Sequence, residues 1–95
     1  MKVDRPASWC AYLIRCGDGT LYAGMTNDLE ARLLAHRGKA GARGAKYTRS
    51  RGPIRLVWSQ PATSRSEACR LEYRVKRLTR KEKLALVRKR GRVEL

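Results

Sequence analysis

Residues 20–37 read TLYAGMTNDLEARLLAHR. The first half alternates as a strand does and carries Tyr22-Ala23-Gly24, whereas the second half has helical spacing that puts Arg32 and His36 four residues apart on one face. Between the halves, Asn27 or Asp28 can accept a hydrogen bond from the first free backbone donors of the helix, which fixes the angle at which strand and helix meet. A phenol, a guanidinium and an imidazole therefore converge within fifteen residues.

Working outward, Trp9 to Cys16 (WCAYLIRC) is rich in aromatic and β-branched residues, and Gly17-Asp18-Gly19 supplies the left-handed position of a tight hairpin. Strands over 9–16 and 20–25 follow. With Gly17 to Gly19 as a three-residue loop, Ile14 pairs with Tyr22 and Tyr12 with Gly24, so both phenols share one face. A two-residue loop would put Tyr22 opposite Arg15 and the phenols on opposite faces. The longer loop is preferred because Gly24 leaves room beside the Tyr12 ring and because a closing glycine is the usual bulge former.

Helix 28–37 carries Leu29 and Leu33 on its buried stripe, with Arg32 and His36 along the border. Residues 38–52 (GKAGARGAKYTRSRG) form a basic, glycine-rich loop, and no Asp or Glu occurs between Glu30 and Glu67. Lys39, Arg43, Lys46, Arg49 and Arg51 are candidate phosphate contacts there, and Tyr47 a candidate base-stacking or anchoring residue. Ile54 to Ser59 alternates as a third strand. Ser64-Arg65-Ser66-Glu67 spells a capping box and opens a helix to about Leu78, with Ala68, Leu71, Val75 and Leu78 as its core stripe. Glu72 falls within about 40° of the centre of that stripe, a costly place for a carboxylate without a cationic partner. Thr79-Arg80-Lys81-Glu82 is a second capping box, opening a helix over about 80–90, and Gly91 to Leu95 reads as a frayed tail. The expected fold is α+β: a small three-stranded, largely antiparallel sheet flanked by helices in the order β-β-α-β-α-α, one domain with a folded core over about 8–90.

A chain of 95 residues buries only about 60–65% of the surface its unfolded form exposes, so the core is small. Against it stands a net charge of +15, from 23 Lys and Arg and 8 Asp and Glu, which makes the folded state repel itself and points to a polyanionic partner. Nucleic acid is favoured over a membrane surface, because no amphipathic segment has a bulky apolar face. Cys10, Cys16 and Cys69 form no CxxC pair, Met1 to Pro6 is too short and polar to open a secretory signal, and no run of eighteen apolar residues occurs. The expectation is a cytoplasmic protein with reduced thiols. One histidine and scattered cysteines disfavour zinc, so a metal should be a hard cation held by oxygen.

Tyr12 in CAY, Tyr22 in YAG, Asn27-Asp28-Leu29, Arg32, His36 and then Glu72 on a later helix resemble the pattern of the GIY-YIG nuclease domain. GAKYTR at 44–49 and the chain length resemble its small stand-alone bacterial members. The first triplet keeps only its tyrosine, the second has Ala23 for the usual aliphatic, and no asparagine follows Asn27. The resemblance implies hydrolysis of a phosphodiester by water with one Mg²⁺ (or Mn²⁺) held by Glu72. It casts Tyr12 as general base, His36 as the group that takes or shares its proton, Arg32 as the grip on the scissile phosphate, and Tyr22 as the residue that orients water or phosphate. DNA is expected ahead of RNA, cut by structure rather than sequence, with the oligomeric state open. Taken singly, the tyrosines read as ordinary strand residues, Arg32 and His36 as a solvated helix face, and Glu72 as an i,i+4 partner of Lys76. The alternative for the whole chain is a non-catalytic DNA- or RNA-binding module of the same fold.

Overall fold

The computed structural model describes residues 8–36 and 53–95. Among them the order is β1 (Cys10–Cys16), β2 (Leu21–Thr26), α1 (Leu29–His36), β3 (Ile54–Pro61), α2 (Arg65–Lys76) and α3 (Arg80–Lys89). The strands form an antiparallel sheet in the order β2-β1-β3. The near-continuous apolar run of β1 belongs at the centre, and Ala11 to Ile14 are all buried there, alternately on the two faces.

The three-residue hairpin forms as expected. The Cys16 N–H donates to the Thr20 carbonyl at 2.9 Å, and Gly19 takes φ +87°, a left-handed conformation that costs other residues more. The Asp18 carboxylate accepts from the Thr20 N–H at 3.0 Å and braces the turn. Ile14 therefore pairs with Tyr22 and Tyr12 with Gly24.

Each face of the sheet has its own cover. Tyr12, Ile14, Cys16 and Ile54 lie on one face, with Tyr22 and the α1 residues Leu29 and Leu33 packed against them. On the other, Ala11, Leu13, Ala23 and Trp58 meet Ala68, Leu71 and Val75 of α2, with Leu86 and Val87 of α3 alongside. Three fully buried stripe residues at i, i+3 and i+7 hold α2 to the sheet.

Several boundaries depart from the sequence reading. β3 runs on to Pro61, tolerated because β3 is an edge strand, and a bulge lets Leu13 pair with Trp58 but Ile14 with Leu56. Helix α2 stops at Lys76, leaving Leu78 half-buried in the link to the next N-cap. Ser64 caps the Glu67 N–H at 3.1 Å, yet Glu67 reaches back to the N–H of Thr63, not of Ser64, so the box is displaced by one residue. That bond holds the Glu67 carboxyl below the usual carboxylate range. At α3 the box is complete: Thr79 and Glu82 each accept the other's backbone N–H.

The segment expected to fray is tied down. Buried Gln60 exchanges two hydrogen bonds with the backbone of Val93, at 2.8 and 3.1 Å, and the Trp58 indole donates to the Gly91 carbonyl at 2.9 Å. Val93 adds an apolar contact to the core. Gln60→Leu should leave the Val93 donor and acceptor without these partners, lowering stability by about 1–3 kcal/mol. Urea unfolding and amide exchange at Val93 check this: exchange should accelerate there more than in β1.

Candidate active site at the open edge of the sheet

The candidate site is built where β2 forms one edge of the sheet. Register sets Gly24 opposite Tyr12, and the Tyr12 ring lies across the glycine: an added Cβ would meet the hydroxyl and come within 3.0 Å of ring carbons Cζ and Cε1. Gly24 is thus required by close approach. Its bare backbone lets a phenol rooted in the central strand cross to the edge, while the residue as a whole stays 1% exposed.

Two helices on opposite faces bring charge to that phenol. From α1, the Arg32 Nε–H donates to the Tyr12 hydroxyl at 3.4 Å, a long bond. Asp28 sets the helix, accepting the Ala31 N–H at 3.1 Å through its carboxylate and the Arg32 N–H at 3.0 Å through its carbonyl. Asp28, of the two possible caps, is the one used. From α2, Glu72 presents its carboxylate, 25% exposed and paired with Lys76 at 3.4 Å. The i,i+4 partnership coexists with an electrostatic influence on Tyr12. Lys76 is largely exposed, so the pair contributes little to stability.

The phenol is pushed above its ordinary pKa, first by burial. The Arg32 hydrogen bond and charge oppose this, while Tyr22 and the Glu72 carboxylate press it further upward. The Tyr12 hydroxyl therefore feels Arg32, Tyr22 and Glu72 together, although the three come from α1, β2 and α2. His36 closes α1, but its side chain lies outside the described residues, as do Lys39, Arg43, Lys46, Tyr47, Arg49 and Arg51.

No group of three or more His, Cys, Asp or Glu occurs among the described residues. A cage for zinc or calcium is thus not built from them, while one accessible carboxylate fits a magnesium ion that keeps most of its waters. No helix among the described residues is long and apolar enough to cross a membrane.

Residues 8–85 match the family model described as the GIY-YIG catalytic domain. The chain belongs to the GIY-YIG family. It is 44% identical to a UPF0213 protein of Desulfotalea psychrophila over 92% of this chain and 76% of the relative. It is 52% identical to a UPF0213 protein of Cronobacter sakazakii over 83% of this chain and 80% of that one. The solution NMR structure of a UPF0213 protein from Bacillus halodurans superimposes with a TM-score of 0.56 at 43% identity, covering 88% of this chain and 86% of the other.

A GIY-YIG domain implies a nuclease-type phosphodiester hydrolase with a nucleic-acid substrate and, in general, a divalent metal. In the triplets that give GIY-YIG its name, Tyr12 and Tyr22 face the α1 side, while Ala11 and Ala23 are buried on the α2 side against Leu71 and Val75. Small side chains at those two positions fit the close seating of α2, which carries Glu72 to the edge.

Gly24→Ala should cost about 1–3 kcal/mol by overpacking against the Tyr12 ring. Combining it with Tyr12→Ala should give a double-mutant cycle in denaturant with a coupling energy of at least about 1 kcal/mol, since the added methyl then meets no ring. Additive losses would place the ring elsewhere.

Proposed function

We propose that this chain is a metal-dependent endonuclease that hydrolyses phosphodiester bonds in DNA, selecting its target by strand structure rather than base sequence. The observation that carries the reading is the Arg32 hydrogen bond to the buried hydroxyl of Tyr12, whose proton also feels Tyr22 and Glu72, at the β2 edge of the sheet. A guanidinium and a carboxylate carry the charges a phosphodiester reaction uses.

Arg32 is assigned the scissile phosphate, where two donors of its planar fork can hold nonbridging oxygens as negative charge builds. Tyr12 is assigned the attacking water, from which it removes a proton, with His36 taking or sharing that proton. Tyr22, on the same face, orients water or phosphate. Glu72 would hold the magnesium, which supplies charge neutralisation at the phosphate oxygens. The reading by structure follows from charge: the cations contact phosphates, which carry no base sequence. Action in the cytoplasm belongs to the same proposal.

Purified protein incubated with branched, flapped and single-stranded DNA, and with RNA of the same design, should cleave DNA in Mg²⁺ and not in EDTA. Glu72→Ala and Arg32→Ala should each lower single-turnover cleavage by about a hundredfold or more while leaving binding in place. Equal binding in every sample with no cleavage in any would make the chain a binding module.

The pH profile tests the base. Only the ionised phenol accepts the proton, and a pKa raised above 10 leaves less than about one part in a thousand ionised at pH 7. Single-turnover rates should therefore climb from pH 6 to 9, and Tyr12→Phe should abolish the climb along with most of the activity. A flat wild-type profile removes Tyr12 from the role.

A further inference from the structure

From Gly24, where the Tyr12 ring crosses the edge, β2 leads back toward Thr20, about 13 Å away at about 3.3 Å per residue. There the edge opens into a cavity of about 320 Å³ lined by Asp18, Gly19, Thr20, Leu21, Arg80 and Lys83. On the helical side, Lys76 ends α2 and Arg80 opens α3, with Arg77, Leu78 and Thr79 between them. Arg80 and Lys83 thus bring two cationic side chains to the Thr20 end of β2.

Arg80 is positioned before any ligand arrives. Its Nη1–H donates to the Gly19 carbonyl at 3.0 Å, locking the guanidinium onto the hairpin and leaving other donors of its fork to the cavity. Half-buried Lys83 lines the same space one turn along α3. The nearby acids are occupied with backbone: Asp18 accepts from the Thr20 N–H at 3.0 Å, and Glu82 accepts from the Thr79 N–H at 2.8 Å.

We infer that the β2 edge from Gly24 to Thr20, with Arg80 and Lys83, is a strand-binding track that seats a phosphate of the substrate strand beyond the bond to be cut. The occupant is a nucleic-acid strand, chosen by charge complementarity and by continuity with the site. This rests on the proposed nucleic-acid substrate. The track acts in binding and placement and takes no part in bond cleavage. Its signal in the sequence is Arg80 and Lys83, three apart in the first turn of a capped helix, but only the fold brings them to the hairpin.

The test uses the full chain and a flapped DNA, with binding read in EDTA so that cleavage plays no part. Arg80→Gln/Lys83→Gln should weaken binding about tenfold near 0.1 M salt and flatten the dependence of log K on log salt by about one to two. Arg70→Gln/Arg88→Gln removes the same charge from exposed residues that do not line the cavity, and should weaken binding less than about twofold. Lys83→Gln alone keeps the Arg80 anchor and should show a partial loss with an unchanged melting temperature. Equal loss in the two double variants, or unaltered affinity and salt slope in the first, overturns the track. A wild type that binds through Arg80 and Lys83 but never cleaves sinks the nuclease reading and leaves the track. One that cleaves with binding unaffected by the first double variant loses the track alone.

Discussion

The contact on which this structure depends is the Tyr12 ring lying across the bare backbone of Gly24. A tyrosine on the central strand of a three-stranded sheet would ordinarily end beneath its helical cover, far from any substrate. Here the missing side chain on the edge strand lets the ring cross the backbone of β2 while the whole residue stays buried. Everything else in the site is arranged to meet its hydroxyl: Asp28 sets the start of α1 and hence Arg32, and the Ala68, Leu71 and Val75 stripe seats α2 and hence Glu72. The site is therefore only as well ordered as the register of one hairpin. A shift of a single residue would turn Tyr22 to the other face and remove Gly24 from beneath the ring.

That register was legible, and the reason is local. Gly17-Asp18-Gly19 allows few closures, and one of them sets a glycine opposite the bulky tyrosine, so turn chemistry and side-chain volume select the same pairing. Arg32 and Glu72 stand out in the sequence for a different reason: Arg32 lies on the border of its apolar helical stripe, and Glu72 lies within about 40° of the centre of its own, where a carboxylate is costly without a partner. What escaped reading was nonlocal. The run Ile54 to Ser59 alternates without interruption, so nothing in it announces the bulge opposite Leu13 and Ile14. Gly91 to Leu95 has the composition of a tail, and its order comes from Gln60, thirty-three residues earlier in the chain. Glu67 has the spacing of a capping box, but a backbone donor one residue earlier receives it.

The charge distribution sets a second constraint. A net charge of +15 on so small a domain works against folding, and the core that opposes it is divided into two clusters by the sheet. Helix ends and termini are where such a chain would loosen first. The complete box at Thr79, the cap at Ser64 and the Gln60 clasp on Val93 are placed at those points, so short polar contacts hold what the core cannot reach. Most of the described Lys and Arg side chains are exposed, where self-repulsion is weakest and phosphates can be met.

The same electrostatics bear on how Tyr12 could serve as a base. Burial and the Glu72 carboxylate both favour the neutral phenol, and Arg32 alone among the described charges acts strongly the other way. A carboxylate that presses upward does so only while its charge is uncompensated. Lys76, mostly in water, compensates it weakly. Any cation bound more tightly by Glu72 would cancel that pressure and add its own attraction for the phenolate, so occupancy at Glu72 and ionisation of Tyr12 are thermodynamically linked. Were Arg32 to engage a phosphate, its help to the phenolate would weaken. Under the proposed function, the resting preference for the neutral phenol would make the base effective only once metal and substrate were both bound.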